Sequence, residues 1–153
     1  MNKESLSRFE LKGRVIVITG GAGLLLGSCM LNLLPTPILV DLNGESAEKS
    51  ATYISKNFSV SALGVKTDIT NKTDVEILYN TVFNKFGRID GLINNAALFG
   101  KLARRRFEEI DIDEFDAVMR VNIRGVWQVS RAVVAVMRKQ EYGKIVNITS
   151  GTV

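Results

Sequence analysis

The sequence predicts an α/β protein with a doubly wound parallel sheet, in a single domain over residues 1–153. Short β-branched runs alternate with longer amphipathic runs along the whole chain, which is the pattern of βαβ units. Of the 153 residues, 46% are hydrophobic and 24% are charged, as in globular domains. Right-handed crossovers between five strands place the first strand near the centre, in the order 3-2-1-4-5.

Five short runs are predicted to be strands, and the first of them is β-branched and continuous, as expected of a strand buried on both faces. They are Arg14–Thr19, Ile38–Asp41, Ser61–Thr67, Leu92–Asn95 and Lys144–Thr149. Pro35 and Pro37 are expected to bracket the turn into the second strand. The fifth strand has no predicted partner on its outer side, and such an edge is normally covered.

The runs between the strands are predicted to be helices. They are about Leu24–Leu34, Glu45–Asn57, a helix opened by Asn71 and stopped by Gly87, and one long helix over about 113–139 that Gly143 follows. The long helix is expected to pack on the sheet through apolar residues at helical spacing: Phe115, Val118, Met119, Val126, Val129, Val133 and Met137.

The composition excludes several kinds of site. The chain has no His, so it lacks Ser-His-Asp and Cys-His catalysis and the usual imidazole ligands of zinc. The single Cys29 excludes an internal disulfide and fits a reducing compartment. No run reaches the roughly 18 apolar residues of a membrane span, and the N-terminal residues lack a signal-peptide core. We therefore expect a cytoplasmic protein without a membrane partner.

The net charge is 20 − 16 = +4, and the calculated pI is about 9.3. The densest basic run, Lys101–Arg106, has no aromatic ladder and is followed at once by acidic residues. We interpret it as a solvated loop, and no nucleic-acid partner is expected.

A glycine-rich segment, Thr19–Gly27, follows the first strand and opens the first helix. Glycine at such a turn lets the backbone approach a pyrophosphate, and the free N–H groups of the helix start favour its charge. The alternative is a merely tight turn. A P-loop is disfavoured because no Lys follows the last glycine.

Asp41 ends the second strand 21 residues after Gly20 (41 − 20). A carboxylate at this place accepts hydrogen bonds from the ribose hydroxyls of adenosine and repels a 2′-phosphate, so NAD is favoured over NADP. Two alternatives stay open, namely a helix-capping Asp and the acidic residue of a methyltransferase that binds adenosylmethionine.

Three later segments also end strands with polar or small residues. Asp68 follows the third strand, where it accepts from an adenine amino group or caps a helix. Asn94-Asn95-Ala96-Ala97 ends the fourth strand and leaves room for a ligand, and Asn147-Ile-Thr-Ser150 brings a hydroxyl to the edge where open α/β sheets bind ligands.

Together these pieces resemble the short-chain dehydrogenase/reductase family. The matching motifs are the Thr19–Gly27 turn, Asp41, Asp68, Asn94–Ala97, Val121-Asn122 and Ile148-Thr149-Ser150, which occur in the family's order over residues 12–153. The segment from Phe107 onward is similar to 3-oxoacyl-carrier-protein reductases and to alcohol and aldehyde dehydrogenases.

The resemblance implies a role for each matching residue. Gly20, Gly23 and Gly27 would shape the dinucleotide turn, Asp41 would hold the ribose, Asp68 and Ile69 would frame the adenine, and Asn95 would lie against the cofactor. Ser150 would bind the substrate oxygen, and Asn122 would hold a water of the proton relay. From the residues alone, an Asn that kinks its helix or caps a neighbour is the favoured interpretation of Asn122.

The resemblance further implies hydride transfer between a nicotinamide cofactor and a small carbonyl or alcohol substrate, in a protein that forms homo-oligomers. The proton would pass through a Tyr four residues before a Lys. Residues four after Tyr53, Tyr79 and Tyr142 are Asn57, Phe83 and Val146, so we expect this motif, the sixth and seventh strands and the substrate lid to follow Val153. The chain would then be a fragment or truncated form.

Two alternatives to a working oxidoreductase are a nucleotide-binding protein without catalysis and a decayed member of the family. The second is suggested by Leu24–Leu26, which fill the place where the family usually has another glycine, and by the seven residues left for the first helix.

Overall fold

A computed structural model describes residues 11–23, 35–99 and 105–149. The predicted first helix, about Leu24–Leu34, lies outside the described residues. In chain order the elements are β1 (Val15–Thr19), β2 (Thr36–Asp41), α1 (Gly44–Phe58), β3 (Leu63–Lys66), α2 (Lys72–Phe86), β4 (Gly91–Asn94), a 3₁₀-helix (Phe107–Glu109), α3 (Ile112–Met119), a π-helix (Arg120–Gly125), α4 (Val126–Lys139) and β5 (Lys144–Asn147).

The five strands form one parallel sheet in the order β3-β2-β1-β4-β5, which confirms the predicted topology. The register pairs Val17 of β1 with Ile38 of β2 and with Leu92 of β4. Since all five strands run the same way, their carboxyl ends share one edge of the sheet, and the loops that follow them meet there.

The prediction that Pro35 and Pro37 bracket the turn before the second strand is wrong, because β2 begins at Thr36 and includes Pro37. The N–H of Thr36 donates to the carbonyl of Arg14 in the loop before β1, at 2.8 Å. The nitrogen of Pro37 therefore faces the other side, where pairing with β3 starts only at Ile38. A proline, which has no N–H, is tolerated at this place.

The core lies on both faces of the sheet, as a doubly wound fold requires. Alternate residues of β1 point to opposite faces. Val15 and Val17 belong to a buried cluster with α2 and α4, whereas Ile16 and Ile18 pack with Ala51 and other residues of α1.

The predicted long helix is interrupted. The π-helix Arg120–Gly125 joins α3 to α4 without a break in the helical path. Val129, Val133 and Met137 are buried as expected, but Phe115 and Met119 are 49% and 41% exposed and do not pack on the sheet. A π turn holds more residues than an α turn, so it rotates the side chains that follow it relative to those before it.

The approach of α1 to the sheet depends on Gly64 of β3. A Cβ atom at this position would lie 2.5 Å from the backbone carbon of Ala47 and 2.5 Å from the backbone nitrogen of Glu48. Only glycine therefore allows this strand and this helix to come so close.

Two asparagines begin the helices beside the cleft described below. The side chain of Asn43 accepts from the N–H of Ser46 at the start of α1, and that of Asn71 accepts from Thr73 and Asp74 at the start of α2. Gly87, in a left-handed conformation, ends α2 as predicted. Within the described residues, no helix has the length and apolar character needed to cross a membrane.

Candidate functional site

A cleft of about 260 Å³ opens at the carboxyl edge of the sheet. Its floor comes from the ends of β1 and β2, and its walls come from the loops after β3 and β4. The lining residues are Gly20, Val40, Asp41, Leu42, Thr67, Asp68, Ile69, Thr70, Ala96, Ala97, Leu98 and Val121. The predicted residues Gly20, Asp41, Asp68 and Ile69 are thus brought together in one place.

Gly20 forms the floor of the cleft after β1. Its φ is +65°, and a Cβ atom there would lie 3.0 Å from the Cα of Ala96 and 3.0 Å from Nδ2 of Asn95. Glycine therefore fits this turn, and it leaves the backbone bare at the floor of the cleft. Gly23 continues this turn by donating its N–H to the carbonyl of Gly20 at 3.3 Å. Gly27 lies outside the described residues.

Thr19 and Asn95 join the floor of the cleft to the wall after β4. The buried hydroxyl of Thr19 accepts from the N–H groups of Asn95 and Ala96, at 3.0 and 3.1 Å. The side-chain amide of Asn95 donates to the carbonyls of Thr19 and Gly20, at 3.1 and 3.2 Å. Asn95 thereby holds the glycine turn, and the side chain of Thr19, for which the sequence predicts no role, holds Asn95.

The Asp41 carboxylate lies at the end of β2 and is held by two backbone N–H groups. Oδ2 accepts from Ala22 in the glycine turn at 3.2 Å, and Oδ1 accepts from Asn43 at 3.0 Å. The carboxylate therefore joins the glycine turn to the start of α1. Asp41 does not cap a helix, because Asn43 is the N-cap of α1.

Asp68 and Ile69 form part of the wall after β3. Oδ1 of Asp68 accepts from the N–H and the hydroxyl of Thr70, at 2.8 and 2.7 Å. The N-cap of α2 is Asn71, so Asp68 closes a tight turn before the helix instead of capping it. Ile69 is buried, and the hydroxyl of Thr67 is buried with no hydrogen-bond partner among the described residues.

Asn122 lies in the π-helix and holds the wall after β4. Its Oδ1 accepts from the N–H of Leu98 at 2.8 Å, and its Nδ2 donates to the carbonyl of Leu98 at 3.3 Å. This pair of bonds explains why the helix carries an Asn here: the side chain acts as a strand partner for one residue of the loop. π-Helical segments are frequent at functional sites.

Sequence reasoning did not select the residues of the π-helix and α4 that contact the other wall. Gln128 donates to the carbonyl of Ile69 at 2.8 Å, and Arg124 donates to the carbonyl of Thr70 at 3.3 Å. Neither residue belongs to a recognisable motif, because a single Gln on a half-buried helix face has no sequence signal of its own.

Asn94 forms a further polar cluster below the same edge. Its amide donates to the hydroxyl of Ser130 in α4 and to Oδ1 of Asn147 in β5, at 3.1 and 2.9 Å. This cluster aligns the ends of β4 and β5. The predicted substrate-binding Ser150 follows β5 and lies outside the described residues.

None of the three tyrosines lines the cleft. Tyr53 is exposed on α1, and Tyr79 stacks on Phe83 of α2 with ring centroids 5.7 Å apart. The ring of Tyr142, near the amino end of β5, lies 4.1 Å from the guanidinium carbon of Arg14. In the part of the chain that the structure describes, no group of three or more acidic or Cys side chains could hold a metal ion.

The strongest charge cluster lies at the opposite, amino edge of the sheet. Asp90 is 1% exposed and accepts from Arg88 at 2.6 and 2.7 Å, from Arg14 at 3.0 Å and from the N–H of Val15 at 2.9 Å. Burial raises the pKa of Asp90, but these hydrogen bonds outweigh it, and the pKa lies below its ordinary value. The same bonds raise the pKa of Arg88.

Comparison with known proteins agrees with this geometry. The family model described as short chain dehydrogenase matches residues 14–153. An uncharacterized oxidoreductase of Mycobacterium bovis is 35% identical over 143 residues, which cover 92% of this chain and 56% of that protein. The chain thus spans about half the length of this relative.

Solved structures agree as well. A levodione reductase structure matches with a TM-score of 0.84 at 32% identity, covering 92% of this chain and 55% of that one. An NAD⁺-bound xylitol dehydrogenase matches with a TM-score of 0.83 at 31% identity, covering 92% and 54%. Since the family model matches nearly the whole sequence and the sheet order agrees, the chain belongs to the short-chain dehydrogenase family.

Proposed function

We propose that the protein is an NAD-dependent oxidoreductase, in which a hydride passes between the nicotinamide and a small carbonyl or alcohol substrate. The observation that carries the proposal is the cleft in which the bare backbone at Gly20 and the Asp41 carboxylate lie together. A phosphate group fits over a turn made mostly of glycine, and ribose hydroxyls fit a carboxylate at the end of β2.

In this proposal, different residues bind different parts of the cofactor. Gly20, Gly23 and Gly27 receive the pyrophosphate, and Asp41 accepts from the adenosine ribose. Asp68 and Ile69 border the adenine, while Asn95 keeps the turn in place under the cofactor. The bound nicotinamide supplies the hydride chemistry, and the protein supplies position and a proton route.

The finer cofactor assignment is NAD over NADP. A 2′-phosphate on the adenosine ribose would lie against the Asp41 carboxylate, and the two negative charges would repel each other. The xylitol dehydrogenase with the similar fold is NAD⁺-bound, which supports a nicotinamide cofactor here.

Ser150 and Asn122 are proposed for the substrate side. Ser150 donates to the substrate oxygen, and Asn122 takes part in the proton route. The substrate is a small carbonyl or alcohol, in keeping with the levodione reductase and xylitol dehydrogenase among the similar proteins. The cytoplasmic location and the assembly into homo-oligomers stay predictions from the sequence.

The second candidate function is dinucleotide binding without turnover. It is favoured by the positions of Tyr53, Tyr79 and Tyr142, none of which lines the cleft. Hydride transfer without a proton donor at the carbonyl oxygen is slower by roughly 10²- to 10⁴-fold.

The test combines binding and turnover on the purified protein. Titration calorimetry with NADH and with adenosylmethionine should give binding of NADH alone, and incubation with NADH and a panel of small ketones should then oxidise the nicotinamide. Binding without oxidation would favour the second candidate function. Binding of adenosylmethionine in place of NADH would overturn both.

A further inference from the structure

The wall of the cleft after β3, Thr67–Thr70, contains one peptide unit that is held at both ends. This unit joins the carbonyl of Ile69 to the N–H of Thr70, and the two groups are fixed in one plane. Gln128 of α4 binds the carbonyl at 2.8 Å, and Oδ1 of Asp68 binds the N–H at 2.8 Å.

The double attachment determines where the Asp68 carboxylate points. Oδ1 is occupied by the N–H and hydroxyl of Thr70. Among the residues that the structure describes, no donor is bound to Oδ2, which is therefore left for a ligand in the cleft. If the peptide unit rotates, its N–H turns away from Oδ1, and the carboxylate loses this orientation.

The side chain of Ile69 is seated against the same helical segment. A Cβ atom at Gly125 would lie 2.7 Å from Cδ1 of Ile69, so the isoleucine occupies the space that the glycine leaves. Arg124 adds a longer bond of 3.3 Å to the carbonyl of Thr70. The wall thus rests on the π-helix and the start of α4, and Gln128 makes the shortest of these polar contacts.

We infer that Gln128 is a positioning residue for the adenosine end of the cofactor, acting through the Ile69–Thr70 peptide and Asp68. The inference rests on the proposed function, in which this wall borders the adenine. Gln128 itself does not line the cleft, so its effect on the cofactor is indirect.

The chain offers a matched control in Gln140, at the other end of α4. Its Nε2 also donates to backbone carbonyls, those of Ile89 and Tyr142, at 2.6 and 2.7 Å. These groups lie at the amino edge of the sheet, away from the cleft. Gln128→Leu and Gln140→Leu each remove a glutamine-to-carbonyl contact, but only the first contact is made to a residue that lines the cleft.

The experiment first measures the Kd of NADH for the wild type and both variants. Displacement of NADH by AMP and by nicotinamide mononucleotide then gives the affinity for each half of the cofactor. Gln128→Leu should weaken the binding of AMP by about 3- to 10-fold, which is the effect of one hydrogen bond. The affinity for nicotinamide mononucleotide should stay within about 2-fold of the wild-type value. Gln140→Leu should leave both unchanged. A structural role alone would not separate the two halves of the cofactor.

A second variant, Gln128→Glu, keeps the length of the side chain but turns an acceptor toward the Ile69 carbonyl. It should therefore weaken the binding of AMP at least as much as Gln128→Leu does. Equal affinities of both Gln128 variants and the wild type for AMP would overturn the inference, as would equal losses for AMP and nicotinamide mononucleotide. Failure of the wild type to bind NADH would instead overturn the proposed function and the inference with it.

Discussion

At the residue scale, Asp41 is expected to decide between the two nicotinamide dinucleotides. In Asp41→Ser the N–H groups of Ala22 and Asn43 lose their anion, and Lys66 is paired with residue 41 in the sheet register. Two donors and a nearby cation suit a phosphate. We expect the affinity ratio of NADPH to NADH to rise by about tenfold or more.

The Kd values of both reduced cofactors, measured by calorimetry, check this expectation. Asp116→Ser is the control, because it removes one carboxylate from an exposed position on α3 and so has the same net charge as Asp41→Ser. An unchanged ratio in Asp41→Ser would contradict the role of Asp41.

The same scale shows which site residues can be found in a sequence. Gly20 follows β1 and Asp41 ends β2, so the fold alone puts both at the edge of the sheet where the cleft opens. The contacts of Thr19 and Gln128 are not predictable in this way, since they reach loops 76 and 59 residues away. A single sequence contains no signal for such long-range side-chain contacts.

At the scale of elements, Gly64 is expected to control the packing of α1 on β3. In Gly64→Ala the new Cβ would meet the backbone of Ala47 and Glu48, which cannot move as a side chain can. Overpacking of this kind costs about 3 kcal/mol in the free energy of unfolding. Urea unfolding followed by circular dichroism measures this loss.

Gly87→Ala provides the comparison for this prediction. No atom of the described residues lies within 4 Å of a Cβ at Gly87, but its φ is +69°, so the cost is that of a left-handed residue, about 1 kcal/mol. Equal losses in both variants would mean that the close approach of α1 is unimportant.

The elements also show where periodicity is a reliable guide. Asn71 and Gly87 bound α2 as predicted, because capping is a local property. The prediction that Phe115 and Met119 lie on the face of the long helix that packs on the sheet is wrong. One extra residue in a turn shifts the following side chains by roughly 100°, and the apolar pattern alone does not reveal this shift.

At the scale of the whole molecule, Asp90 is expected to make the stability depend on pH. Its carboxylate ties the starts of β1 and β4 together, and its backbone carbonyl accepts from Lys144 at the start of β5. Asp90→Asn at neutral pH should lower the free energy of unfolding by about 2 kcal/mol, since both arginines remain partly exposed and are solvated in part.

The sign follows from the lowered pKa of Asp90 in the folded protein. The contribution is fully present above the ordinary pKa of 3.8 and is lost as the pH falls through the folded value. The difference between wild type and Asp90→Asn should thus be constant from about pH 7 to pH 5 and shrink below about pH 4. A difference that grows toward acid would contradict it.

β1 has the Asp90 cluster at its first residue, Val15, and the cleft at its last, Thr19. At about 3.3 Å per residue, four steps separate the two by roughly 13 Å. Effects of substitutions so far apart add when they share no partner. A variant with both Asp90→Asn and Asp41→Ser should lose the sum of the two single changes in the free energy of unfolding, so stability and cofactor choice can evolve independently at the two edges of the sheet.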